Sequence, residues 1–107
     1  MDNTDREIAN LKRIMELCDQ ISGRGLVDSA IESRVSEVSQ FAFSFDFMDI
    51  ERGDMVSSLK KQVTLKNLPA KRKAESAFYD AVSKINGLAG IRLSVLNENR
   101  IGSGVKP

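Results

Sequence analysis

The 107-residue chain contains no histidine, and its only cysteine is Cys18. Without histidine it lacks the side chain that most often acts as a general base near neutral pH and as an imidazole ligand for metals. A single thiol excludes an intramolecular disulfide, and it excludes a zinc site of the Cys/His type within one chain. No nucleophile can be paired with a base, so we predict no catalytic residue, no metal, no cofactor and no enzymatic activity.

Long hydrophobic runs are also missing. No apolar run approaches the roughly 20 residues that a membrane span needs, and the first seven residues are polar and acidic, unlike a secretory signal. A lone cysteine fits a reducing compartment. With 41% hydrophobic and 29% charged residues, the composition is that of an ordinary globular protein. We therefore expect one domain, a cytoplasmic location and no membrane association.

Acidic residues are scarce in the second half of the chain. Residues 1–54 carry 12 acidic and 6 basic side chains, whereas residues 55–107 carry 3 acidic and 10 basic ones, so net charges of −6 and +7 give the overall +1. No acid lies between Asp54 and Glu75. This basic segment predicts contact either with nucleic-acid phosphates or with the acidic half, in the same chain or in a second copy. Its cations are Lys60, Lys61, Lys66, Lys71, Arg72 and Lys73.

Apolar residues at spacings of three and four predict helices in both halves of the chain. The first would begin with a capping box at Thr4, carry Cys18 as a small core residue, and end at Gly23. The most regular pattern begins at Pro69, which suits the first turn of a helix, with Asn67 as the expected cap. We expect this helix to continue for about five turns at 3.6 residues per turn.

Between these two helices we expect one continuous helix from about Leu26 to Arg52. No glycine or proline interrupts the chain between Gly25 and Gly53, so nothing in the sequence marks a break. Such a helix would be about 40 Å long at 1.5 Å per residue. Gly53 would end it, and Asp54 would cap a shorter third helix.

Residues 40–50 hold four of the five phenylalanines, and their spacing fits two secondary structures. As a strand, all four rings would share one face, which is the alternation of a half-buried strand. As a helix, Phe41, Phe45 and Met48 would extend the apolar stripe that precedes them, and a second stripe would lie on the opposite side. We favour the helix because of that continuity. The second stripe consists of Phe43, Phe47 and Ile50.

Together these patterns predict an all-α fold, a small bundle of three to four helices. Residues 1–96 would form a single helical domain, and residues 97–107 a flexible C-terminal tail. The alternative is an α+β fold with short strands near 41–47, 63–67 and 91–96. A helix that is apolar on two sides is either central in its bundle or supplies a contact surface, and the sequence leaves both open.

For function, we predict a non-enzymatic helical module that mediates protein–protein interaction or regulation. The simplest form is a homodimer, or a complex with another protein, formed through Phe43, Phe47 and Ile50. The alternative is an accessory protein that binds nucleic acid through the basic segment, residues 60–73. The two hypotheses use opposite properties of the chain, an apolar surface in one case and a basic surface in the other.

Overall fold

A computed structural model of the chain describes residues 3–23 and 29–104, with side chains described for residues 4–23 and 30–98. Within these ranges the chain forms four α-helices, a short 3-10 helix and no strand. The predicted all-α bundle is confirmed, and the α+β alternative is wrong. The elements are α1 (Asn3–Ser22), α2 (Ser29–Ala42), the 3-10 helix (Asp46–Met48), α3 (Asp49–Thr64) and α4 (Leu68–Gly104).

The first predicted helix is confirmed as α1, which ends just before Gly23 as expected. The predicted cap at Thr4 is wrong, because α1 begins at Asn3 and Thr4 lies inside it. It packs antiparallel against α2 and α4. Arg13 donates a hydrogen bond to Glu37 on α2 at 3.0 Å, and Arg92 on α4 donates one to Glu7 at 3.2 Å. Between these polar edges lies the apolar stripe that forms one wall of the core. Its buried residues are Ile8, Leu11, Ile14, Leu17, Cys18 and Ile21.

The predicted continuous helix from Leu26 to Arg52 is wrong, because α2 ends at Ala42 and the chain reverses before α3 begins. A straight helix of about 40 Å would extend past α1, which has 20 residues and is about 30 Å long. Breaking the helix instead lets α3 return along α4. Leu26 itself lies outside the described residues.

At the break the backbone hydrogen bonds change from N–H donors four residues after their acceptors to N–H donors three residues after them. Ser44 N–H donates to Phe41 O at 3.3 Å, and Phe45 N–H donates to Ala42 O at 2.9 Å. Phe45 has an extended backbone, and the 3-10 helix follows it. Met48 N–H in turn donates to Phe45 O at 2.9 Å, so two successive three-residue steps connect Ala42, Phe45 and Met48, all of which are buried.

Gly53 neither ends a helix nor separates two helices, so this prediction and the Asp54 cap are wrong. Both residues lie inside α3, which runs without interruption from Asp49 to Thr64. Gly53 is exposed, and a Cβ atom at this position would meet nothing within 4 Å. Glycine in a helix interior costs only about 1 kcal/mol relative to alanine. Burial of Met55 and Leu59 further along α3 outweighs that cost.

The predicted start of the last long helix is confirmed. Pro69 occupies the second position of α4, and the Asn67 side chain accepts a hydrogen bond from the Ala70 N–H at 3.1 Å. This is the geometry of an N-cap, in which a side-chain oxygen satisfies one of the four free N–H groups of the first turn.

α4 has 37 residues and continues well beyond the predicted length of about five turns. The strand near 91–96 in the α+β alternative is therefore wrong. Residues in this segment continue the helix, and Ala89 and Leu96 are buried. Gly90 faces the Met15 side chain of α1, where a Cβ atom would lie 3.6 Å from Met15 Cε. The packing of α4 on α1 therefore overrides the weak helix propensity of the glycines.

The segment 97–107 was predicted to be a flexible tail. Its described part, residues 97–104, is the last two turns of α4. Residues 105–107 lie outside the described range. The flexibility of this segment and the division of the chain at residue 96 stay predictions.

The helices assemble into a rod of 61 × 23 × 20 Å, because α4 is longer than any partner helix in the described part of the chain. With 37 residues α4 is about 55 Å long. Its C-terminal half packs on α1, where residues 86 and 92 bond to α1 side chains. Its N-terminal half packs on α3. The far end of this pair, residues 58–74, is called the hairpin end below.

Candidate functional site

Three large apolar side chains between α2 and α3 are open to solvent. Phe43 is 69% exposed, Phe47 43% and Ile50 75%. They do not form a stripe on one helix, because Phe43 lies in the turn after α2, Phe47 in the 3-10 helix and Ile50 in the first turn of α3. Of the three residues predicted to extend the core stripe, Phe45 and Met48 are buried, and Phe41 is half-buried against the core. Whether the exposed set binds a partner stays a prediction.

Arg52 packs against one of these exposed side chains, Phe43. Its guanidinium carbon lies 5.1 Å from the centre of the Phe43 ring, and one of its terminal nitrogens lies 3.6 Å from an Asp49 carboxylate oxygen. A cation over a ring face at this distance contributes about 0.5–1 kcal/mol when exposed. The Phe47 ring packs on the buried Phe45 ring, with centres 5.6 Å apart. Both exposed rings therefore have a fixed position without being covered.

Two exposed residues of α4 belong to the same end of the molecule. Ile91 is 67% exposed and Val95 40%. Lys84 faces α3, where it shares a groove with Asp54, and residues seven and eleven positions further lie on the same helix face. These two residues lie beyond the end of the groove that Asp54 and Lys84 share. We define the apolar patch as the exposed side chains Phe43, Phe47 and Ile50.

Four acidic side chains alternate along the chain with the residues of the apolar patch. Asp46, Asp49 and Asp54 are exposed, and Glu51 is half-buried. Among the described residues no group of three or more Cys, His, Asp or Glu side chains is arranged to hold a metal ion. We call these four carboxylates the acidic border, because they are the nearest charged neighbours of the patch in the sequence together with Arg52.

The six cations of the basic segment lie at the opposite end of the rod. Lys60 and Lys61 lie near the end of α3, whereas Lys71, Arg72 and Lys73 lie near the start of α4. The hairpin between the two helices therefore brings both groups to the same end of the rod. Lys61 and Lys73 line one groove, of about 310 Å³, from opposite helices. The other residues along the groove are small or apolar. They are Ser58, Leu65, Ala70, Ala74 and Ala77.

Cys18 has no role at either surface. It is fully buried in the core, and burial raises the pKa of its thiol from 9.0 to about 12, with the nearby Asp19 carboxylate as the smaller cause. A thiol in this state is almost entirely protonated at neutral pH and is a poor nucleophile. This agrees with its predicted role as a small core residue.

The sequence singled out Phe43, Phe47 and Ile50, all of which are exposed, but it did not predict the exposure of Ile91 and Val95 on a helix. The segment around 91–96 alternates and follows two glycines, which suggested extended chain and hid its helical phase. The groove at the hairpin end was also missed, because it forms only when α3 and α4 pair. Its signal in the sequence is the set of small residues at helical spacing, which carries little information by itself.

Comparison with models of known protein families, with characterised proteins and with solved structures finds no match to this chain. None of the described helices is both long enough and apolar enough to cross a membrane.

Proposed function

We propose that this protein is a non-enzymatic helical interaction module that self-associates through the apolar patch. The observation that carries the proposal is the exposure of Phe43, Phe47 and Ile50 next to a well-packed core. Large exposed apolar side chains that lie together and are bordered by charges are typical of protein-binding surfaces. The chain has no histidine, and its thiol is buried, so binding is better supported than catalysis.

The patch has the composition and rigidity that a binding surface needs. Burying a Phe or Ile side chain that is otherwise exposed contributes roughly 1.5–3 kcal/mol. Phe43 and Phe47 already have fixed neighbours in Arg52 and Phe45, so ordering them in a complex costs little additional entropy. The acidic border would then select the partner by charge.

The test is the oligomeric state of the purified chain in sedimentation equilibrium. We expect a dimer, and we expect Phe47→Glu to remain folded and to raise the dissociation constant about a hundredfold, which corresponds to about 3 kcal/mol. Val63→Glu is the matched control, because Val63 is also exposed but lies outside the patch. A monomeric wild-type protein would remove the self-association proposal.

A second candidate function is binding of nucleic acid at the hairpin end. The observation that favours it is the grouping of six cations at one end of the rod, in a stretch of sequence without an acid. Binding to duplex DNA or RNA should weaken steeply as salt rises from about 50 to about 200 mM. It should also weaken when Lys71, Arg72 and Lys73 are replaced by alanine. No binding in fluorescence anisotropy at the lower salt concentration would exclude this function.

We also propose a cytoplasmic location, supported by the single cysteine of the sequence, which is buried as a free thiol. Cell fractionation tests it, and recovery of the protein in a secreted or membrane fraction would contradict it.

A further inference from the structure

Two apolar side chains are exposed at the hairpin end, where α3 is joined to α4. Val63 lies in the last turn of α3 and is 50% exposed, and Leu68 is the first residue of α4 and is 57% exposed. Leu65, in the connection between the two helices, is half-buried. None of the three belongs to the apolar patch. This end of the rod therefore presents a second apolar surface that the fold leaves open to water.

Cations stand next to these side chains on both helices. Lys60 precedes Val63 by three residues in α3. Lys71 and Arg72 follow Leu68 by three and four residues in α4. These spacings place each cation on the same helix face as its apolar neighbour. Both exposed apolar side chains are therefore bordered by positive charge.

The positive charge at this end is concentrated and unpaired. Residues 55–74 hold the six cations and no acid, a net charge of +6, so the rest of the sequence carries −5 to give the overall +1. None of the six forms an ion pair with another residue in the described part of the chain. The first acid along α4 is Glu75, seven residues after Leu68, which is about 10 Å at 1.5 Å per residue.

We propose that the hairpin end binds the surface of an anionic membrane, with Val63 and Leu68 inserted between the lipids and the cations at the level of the phosphate groups. Lysine and arginine suit this arrangement, because their apolar stems can lie along buried surface while their charged ends stay in water. Binding to a membrane surface combines burial of apolar side chains with attraction of clustered cations to anionic lipid. The hairpin end supplies both.

A nucleic acid fits this surface less well than a lipid does. It would contact the cations through its phosphates and would leave Val63 and Leu68 in water. No aromatic residue lies between residues 55 and 77, so the hairpin end has no ring on which a base could stack.

A protein partner would find too little area at this end. Two helices side by side are about 20 Å wide, and one helix is about 10 Å thick. The tip therefore offers about 200 Å², against the roughly 800 Å² that each partner buries in a standard interface. Insertion into lipid needs no such area, because only the protruding side chains have to be buried.

Membrane binding at the hairpin end is independent of the proposed self-association, because the hairpin end and the apolar patch share no residue. The expectation of no membrane association followed from the missing hydrophobic runs, and contact with a membrane surface needs no such run. Salt screens the attraction of the cations to the lipid, so cell fractionation in about 0.5 M salt still tests the proposed cytoplasmic location.

Vesicle flotation of the full chain tests the proposal. We expect binding at about 0.1 M salt to vesicles of phosphatidylcholine with about 30% phosphatidylserine, and no binding to phosphatidylcholine alone. Val63→Ser together with Leu68→Ser should weaken the binding by about tenfold to a hundredfold. Ile91→Ser is the matched control and should bind as the wild type does, because Ile91 is 67% exposed but lies outside the hairpin end.

Variants also separate a membrane from a nucleic acid. Lys71→Ala, Arg72→Ala and Lys73→Ala together should weaken vesicle binding about a hundredfold. The two serine substitutions should leave any binding of duplex DNA in fluorescence anisotropy unchanged. Vesicle binding that does not respond to them would be purely electrostatic and would overturn the proposed insertion. Binding of DNA without binding of vesicles would assign the hairpin end to nucleic acid instead. Vesicle binding abolished by Phe47→Glu would place the contact at the apolar patch and would contradict the proposal.

A fluorescent label measures the insertion directly. In a Cys18→Ala background, a polarity-sensitive dye attached at Leu68→Cys should shift its emission to shorter wavelength when vesicles with phosphatidylserine are added. The same dye at Ile91→Cys should show no shift. Circular dichroism checks that each variant is folded. No shift at Leu68→Cys, or equal shifts at both positions, would overturn the proposal.

Discussion

The two ends of this rod are stabilised to different extents. In the bundle formed by α1, α2 and the C-terminal half of α4, residues such as Leu11, Ile14 and Ile85 are completely inaccessible to water. At the hairpin end α3 and α4 have only each other. The buried residues there, Leu59, Gln62 and Ala74, keep between 7 and 9% of their surface exposed. The difference follows from the number of helices that surround each position.

This difference predicts that the hairpin end is locally less stable than the bundle. A region with fewer buried apolar contacts opens at a lower free energy than the rest of the structure. The hairpin end combines that lower expected stability with the concentration of cations. The bundle end combines a tightly packed core with exposed aromatic rings on its surface. The exposed rings therefore lie next to a fully buried core, whereas the groove lined by Lys61 and Lys73 lies between two helices with fewer neighbours.

The two regions should differ most in the free energy of unfolding that is lost when one leucine in each is replaced by alanine. Leu11→Ala removes a completely buried side chain in the bundle and should lower the free energy of unfolding by about 3–5 kcal/mol through lost burial and the cavity left behind. Leu59→Ala at the hairpin end should cost less, about 1–2 kcal/mol, because water and neighbouring side chains can fill the space. Urea unfolding followed by circular dichroism measures both. Equal losses would mean that the two regions are equally well packed.

The reactivity of the buried Cys18 thiol measures how often the bundle opens. Because burial raises the pKa of its thiol to about 12, a thiol reagent at about pH 8 should react only when the bundle opens. A cysteine at the exposed hairpin position Thr64, introduced as Thr64→Cys in a Cys18→Ala background, should react at the rate of a free thiol. Rapid modification of Cys18 in the folded wild-type protein would show that the bundle is less closed than its burial indicates.

The same thiol makes stability depend on pH. The folded protein keeps the thiol protonated, while the unfolded chain ionises it above pH 9.0, the ordinary value. Its contribution is therefore complete below that pH and is lost as the pH rises toward about 12, by about 1.4 kcal/mol per unit. Cys18→Ala should remove this component of the pH dependence. Parallel curves for the two proteins above pH 9.0 would contradict the raised pKa.

Local sequence signals predicted the parts of this fold that depend on neighbouring residues. Pro69 and Asn67 marked the start of α4. The phase of the residues before Phe41 predicted that Phe45 and Met48 are buried, and they are, although the helix that carries this phase ends at Ala42. The break after Ala42 could not be predicted, because no glycine or proline marks it and its cause is the return of α3 along α4.

The helix ends were also predicted wrongly where glycines occur, because these glycines do not end a helix. Gly53 and Gly90 lie inside long helices, where a cost of about 1 kcal/mol each is outweighed by tertiary packing. The candidate site follows the same division. Its rings between α2 and α3 were recognisable from spacing, whereas Ile91 and Val95 required knowing that α4 continues past Gly90.

Removing the N-cap of α4 should have the smallest effect on stability, and the effect should be confined to the hairpin end. Asn67→Ala removes the hydrogen bond to the Ala70 N–H and should cost about 1 kcal/mol. Asn67→Asp is the control, since aspartate caps equally well and its charge is favourable at a helix N-terminus that carries Lys71, Arg72 and Lys73. Amide hydrogen exchange should show faster opening at residues 68–74 in Asn67→Ala, with unchanged protection around Ile14. Uniform loss of protection would mean that the hairpin end and the bundle unfold as one unit.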